Sequence, residues 1–269
     1  MLVYKALSYA SAAFLVALLP LRGYCDAPPA AALVADVIVL GEQHDNPAHH
    51  RVQSDWTGAI GPAAIVFEML TPQQAARATP NVRDDIDTLD AALGWSAGPW
   101  PDFAMYYPIF AAAPEAVIFG AQVLRDEIDA QLEKPIVSHP LARKYGLDKA
   151  ADPDQQAARE ALQAEAHCNA LPAEMLPMMV DAQRLRDMAL ADAAVQAHDL
   201  TGGPVVVITG NGHAREDWGV PALLRQARPD LKVFALGQGE GGNMPDGGFA
   251  AMTDADAPPR GDPCAAFRK

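Results

Sequence analysis

Cationic side chains are scarce beside anionic ones: 20 Lys and Arg stand against 34 Asp and Glu, a formal net charge of −14. A surface of that sign repels phosphate backbones and anionic lipid, which excludes nucleic acid as a partner. It suits a small ligand, a metal ion or another protein, and because the acidity is spread along the chain it reads as a solvated exterior. Aromatic residues are also few, 7% of 269, so Ala, Val, Leu and Met have to build much of the core. Cysteine is limited to Cys25, Cys168 and Cys264. Long apolar runs are absent too. The longest, Ala6 to Leu19, is broken by Pro20 and is too short to span a bilayer comfortably.

What is present gives that run a meaning. Lys5, the short apolar stretch and the small residues after it read as a secretory signal peptide, with 1–32 as leader and linker and 33–269 as one α/β domain. Cleavage after Cys25 and cleavage around Ala32 both suit the small-residue rule. Arg22, Gly23 and Tyr24 form a poor lipobox before Cys25. Export to the periplasm or cell envelope would place Cys168 and Cys264 in an oxidising compartment, where an even pair is a disulfide candidate; without export they are two thiols.

Short, continuously apolar segments alternate with helical ones. Strands are expected at Asp36–Leu40, Ala63–Phe67, Ala116–Phe119, Pro204–Thr209 and Lys232–Leu236, with an edge strand at Gly248–Thr253. Helices are expected at Pro47–Gly58, Pro72–Ala78, Val82–Gly94, Asp102–Ala112, Pro153–Leu171, Pro172–Ala197 and Gly219–Arg228. This alternation predicts a mostly parallel sheet flanked by helices, with a helical insertion. In such sheets ligands sit beyond the carboxyl ends of the strands.

Those ends carry chemistry. Gly41-Glu42-Gln43-His44 follows the first strand, Glu68 the second, and Gly210-Asn211-Gly212-His213 the fourth. Two imidazoles and a carboxylate, His44, Glu68 and His213, are a donor set for a divalent transition metal that activates water. Without a metal, Glu68 or Glu42 would serve as general base and His213 as acid. Gly237, Gly239 and Gly242 fit G-x-G-x-x-G, but no helix is expected after them, which rules out a dinucleotide turn.

Longer strings at the same places carry a resemblance. LGEQHDNPAHH, VFEML, WPDFAMYYPIF, QRLRDMALA and GNGHAREDWGVP, over about Val37 to Val220, resemble the ChaN branch of the Tiki superfamily, which also includes erythromycin-esterase-like and Tiki-type metalloprotease proteins. The resemblance implies an exported protein of haem binding and iron uptake, with haem held between two protomers as a homodimer and an outer-membrane haem receptor as partner. It implies a tyrosine axial ligand. Tyr106 is the first candidate and Tyr107 the second, since phenolate oxygen suits ferric haem. His49 and His50 stand at the haem edge or behind it as supporting residues on this view, and Arg184, with Arg186 nearby, would pair with propionates or orient Glu68. The superfamily's alternative is a metal-dependent hydrolase.

Overall fold

The structure, a computed structural model, describes residues 27–265. The expected leader and Cys25 lie outside these residues, apart from 27–32. Among the described residues no helix is long and apolar enough to cross a membrane.

Six strands, β1 (Val37–Leu40), β2 (Ala64–Phe67), β3 (Val117–Gly120), β4 (Val205–Ile208), β5 (Val233–Glu240) and β6 (Ala251–Ala255), form one sheet in the order β3-β2-β4-β1-β5-β6. All neighbours are parallel. Successive strand residues face opposite sides, so the apolar runs feed two cores. Ile38, Leu40, Ile65, Phe67, Val206 and Ile208 pack with residues of helices Pro47–Ile60 and Phe103–Ala112. Val37, Val39, Ala64, Val66, Val205 and Val207 pack with the long helix Leu176–Thr201 and helix Val220–Ala227. The protein is thus α/β, with the sheet sandwiched between helical layers.

Two features place the site. Leu40, Ile208 and Phe67 are level in register, so the residues following β1, β4 and β2 start at one height. The chain then leaves β1 and β2 for helices of the first layer, but leaves β3 and β4 for the second. Neighbouring strand ends therefore part to opposite faces and open a crevice between them.

Local chemistry sets the helix limits. The Asn46 side chain accepts from Ala48 N, Pro47 takes the first helical position, and Gly61 at φ 60 ends the helix. Asp102 caps Phe103–Ala112 through Ala104 N. Some expectations need correction. The helix expected over Val82–Gly94 is split into a 3-10 turn, Pro80–Val82, and Ile86–Leu93, because Asp85 caps a new start. The helix from Pro153 ends at Ala166, and Cys168 and Asn169 beyond it adopt positive φ. The long helix starts at Leu176 rather than Pro172 and ends at Thr201. β5 runs on through Gly237 and Gly239, where side chains would collide with Phe249 and Met244 of the turn folded against the strand. No helix follows, so this glycine pattern forms no dinucleotide turn. Cys168 and Cys264 are joined as a disulfide.

Candidate functional site

At the crevice His44, Glu68 and His213 meet. His44 Nε2 lies 3.8 Å and His213 Nε2 3.5 Å from Glu68 Oε1. The other carboxylate oxygen, Oε2, accepts from Thr209 Oγ1 at 2.6 Å and Gly210 N at 2.8 Å. Gly210 is where close approach matters: a Cβ there would stand 3.3 Å from His44 Nε2.

Each imidazole is held from behind. His213 Nδ1 donates to Asp187 Oδ1 at 2.6 Å, and His44 Nδ1 donates to Glu42 Oε1 at 2.7 Å. The second bond is built on a deeper cluster. Glu42 is buried and also accepts from the Tyr106 hydroxyl at 2.7 Å, while His50 Nδ1 faces its other oxygen at 3.3 Å. His50 Nε2 in turn donates to the His44 carbonyl at 2.9 Å.

Burial alone would lower the pKa of His44, but the Glu42 hydrogen bond and the charges of Glu68 and Glu42 outweigh it and raise the ring to about 9. His213 and His50 are raised against burial in the same way, His213 by Glu68 and Asp187 and His50 by Glu42. Burial would raise Glu68, yet the charges of His213 and His44 and its two hydrogen bonds hold it below the ordinary carboxylate value. Glu42 is likewise held low against its burial by His44 and His50.

These shifts fix the sign of a pH effect. A raised histidine contributes stability that is complete below its ordinary 6.5 and is lost as pH climbs through about 9. The depressed carboxylates contribute above their ordinary 4.5 and lose that contribution in acid. Stability is therefore expected to be greatest between 4.5 and 6.5 on account of this cluster. The His44 side chain is 33% exposed, so its share is discounted to about 1–2 kcal/mol lost by roughly pH 9. Urea unfolding at roughly pH 6 and pH 9 measures it. A His44→Ala protein with the same alkaline loss as wild type would refute the assignment.

Not every candidate residue reaches this centre. His49 turns away, accepting from Gln43 N at 2.9 Å and donating to the Gly239 carbonyl at 3.0 Å; burial lowers its pKa, which suits that neutral form. Tyr107 donates to the Arg83 carbonyl at 3.0 Å. Arg184 pairs with Asp181 at 3.2 Å and reaches the Lys149 carbonyl at 3.4 Å; the arginine that lines the crevice is Arg186, beside Glu68 and Trp100. Tyr106 is fully buried, and burial followed by the Glu42 charge pushes its pKa well above the ordinary 10. As placed it is a hydrogen-bond donor inside the core rather than a phenolate open to a ligand.

Among the described residues no group of three or more His, Cys, Asp or Glu is arranged to hold an ion. Each imidazole sits between two carboxylates, Glu42 and Glu68 for His44 and Glu68 and Asp187 for His213. The cluster satisfies its own charge. Asp187, Arg186 and Trp100 also belong to the site. All three lie within the two longer strings WPDFAMYYPIF and QRLRDMALA, which was the available signal.

A parallel α/β sheet with a histidine–glutamate centre at its carboxyl rim is the class of protein defined so far. A family model described as haem-binding uptake, Tiki superfamily, ChaN matches residues 30–224, and the chain belongs to that family. A solved structure of Campylobacter jejuni ChaN with cofacial haem is similar in fold, with 21% identity over 78% of this chain and 83% of that one and a TM-score of 0.64. The type III effector HopBA1 is matched at 12% identity over 84% of this chain and 90% of that one, with a TM-score of 0.45. Comparison with curated proteins returns no match.

Proposed function

We propose that this protein binds haem and serves haem-iron uptake in the cell envelope, exported by its N-terminal leader, pairing as a homodimer around haem and delivering to or receiving from an outer-membrane haem receptor. Family membership supports haem as the ligand. The observation on this chain that carries the reading is the state of His44. It is the one partly exposed imidazole of the centre, its Nδ1 is fixed by Glu42, and its ring lies 5.1 Å from that of Trp100. A carboxylate behind Nδ1 orients the ring and makes Nε2 a better donor. His44 and Trp100 fit a haem edge on these grounds, and once its proton is displaced His44 Nε2 would hold the iron that bound haem supplies.

Titration of the purified protein with haem is expected to give a saturable Soret band. His44→Ala should weaken binding about tenfold or more, the usual cost of losing a ligand or its support. Tyr106→Phe, which removes only a buried hydroxyl, should leave the band's position unchanged. A Soret band untouched by His44→Ala but shifted by Tyr106→Phe would return the iron to the tyrosine. Sedimentation in the same titration tests the dimer.

One arrangement favours a second reading, a hydrolase of the Tiki type. Two carboxylate-backed imidazoles converge on Glu68, a pattern that also supports metal ligands and acid–base pairs. Stoichiometric transition metal in protein purified from its own periplasm, lost in His213→Ala, would decide for it.

A further inference from the structure

Beside the centre, at the carboxyl ends of β2 and β3, lies a cleft of about 140 Å³ lined by Glu68, Trp100, Arg186, Leu190 and the segment 121–123. Two hydrogen-bond donors in it have no hydrogen-bond acceptor among the described residues. Arg186, half-buried on the long helix, makes no hydrogen bond or ion pair with any described residue. The Trp100 indole nitrogen is buried and equally unpartnered. Buried donors are normally paired, and the Trp100 nitrogen as an orphan calls for an explanation.

Glu68 does not supply the acceptor. Its Oε2 is taken by Thr209 and Gly210, and its Oε1 faces the two imidazoles. Charge leads to the same place. The carboxylates of Glu42, Glu68 and Asp187 are matched by the imidazoles of His44, His50 and His213, which leaves the guanidinium of Arg186 as a cation over in a protein of net charge −14. Burial weakens that cation and the Glu68 charge supports it.

The cleft adjoins a second cavity. Ala121, Gln122 and Val123 form the wall it shares with a cavity of about 810 Å³, whose apolar lining includes Phe119, Leu185 and Met188. We propose that Arg186 and the Trp100 N–H form a carboxylate-binding subsite, with the neighbouring cavity taking the apolar body of the same ligand, so that the site selects an amphipathic carboxylate. That the carboxylate is a haem propionate rests on the reading above; the subsite itself does not. Guanidinium binds carboxylate by parallel charge-assisted hydrogen bonds, and the indole adds a third donor.

Octanoate is the probe and octanol its uncharged control, read by the indole resonance of Trp100 in ¹⁵N-labelled protein and assigned with Trp100→Phe. Octanoate is expected to shift that signal and octanol to leave it in place. Arg186→Gln should weaken octanoate by about tenfold or more, Arg186→Lys by less, and Arg184→Gln not at all. Should the glutamine variant misfold, Trp100→Phe followed by calorimetry tests the other donor, with octanoate expected roughly three- to tenfold weaker. Equal response to octanol, or octanoate affinity indifferent to both positions, overturns the proposal. Haem and its dimethyl ester separate the sources. Preference for haem that disappears in Arg186→Gln identifies the propionate. Octanoate binding that needs Arg186 in a protein without haem affinity keeps the subsite, assigns it another acid, and removes the haem reading alone.

Discussion

Replacing Glu42 by alanine is expected to cost about 3–5 kcal/mol of unfolding free energy, as when one partner of a buried charge pair is deleted. Glu42 is 1% exposed and no other side chain can take over its role. Without it the Tyr106 hydroxyl and His44 Nδ1 lose their 2.7 Å acceptor, and His50 loses the carboxylate 3.3 Å from its Nδ1. His50 would still donate to the His44 carbonyl and face Gln53, but burial without a counter-charge would force its proton off. Three groups from two parts of the chain are thus affected by one substitution. Tyr106→Phe, by contrast, removes one hydroxyl and should cost about 1 kcal/mol. Urea titration of both variants at pH 6 measures the difference. A Glu42→Ala protein within about 1 kcal/mol of wild type would show that the cluster is not organised around this carboxylate.

That expectation shows what could and could not be read before the fold was known. His44, Glu68 and His213 were legible because each follows a short apolar strand, and parallel sheets bring strand ends to one rim. Which strands are neighbours was not legible. β4 inserts between β1 and β2, and only that order sets His213 beside both Glu68 and His44. Glu42 read as a second base at the rim, but it is buried and meets the Tyr106 hydroxyl and His44 Nδ1. Tyr106 read as an open ligand because a run of aromatics does not reveal which hydroxyl is turned to the core. Which of Arg184 and Arg186 faces the crevice is not legible for a similar reason. Two residues apart on a helix point about 200° from each other, and the pattern QRLRD does not say which side meets the crevice. Asp187 was hidden likewise; its role depends on the long helix docking where His213 can reach it.

Reduction of the Cys168–Cys264 disulfide, or its replacement by two serines, is expected to lower stability by about 4–5 kcal/mol, the chain-entropy value for a loop near 100 residues. The two cysteines are 96 apart in sequence, so the bond restricts the unfolded chain over more than a third of its length. The figure holds only if the segment carrying Cys264 stays docked when the bond is cut, and the contacts of Arg260 decide that. Its guanidinium forks onto Asp45 at 2.5 and 2.6 Å and also reaches Glu240 Oε1 at 2.7 Å, while Asn46 donates to the Asp256 carbonyl at 3.2 Å. An exposed ion-pair network of this kind is worth about 1 kcal/mol or less. Arg260→Ala should therefore change little while the disulfide is intact, because the covalent bond still returns the segment to its place. In the double-serine protein the same substitution should release it, and proteolysis near 256–265 should accelerate far more than the sum of the separate effects. Asp45 adjoins His44, so release would also strip the charge partner from the residue next to the proposed iron ligand. Additive proteolysis rates would mean that disulfide and ion pairs hold the segment independently. A loss on reduction well under 4 kcal/mol, in a protein whose segment remains docked, would instead mean that the reduced unfolded chain is already compact.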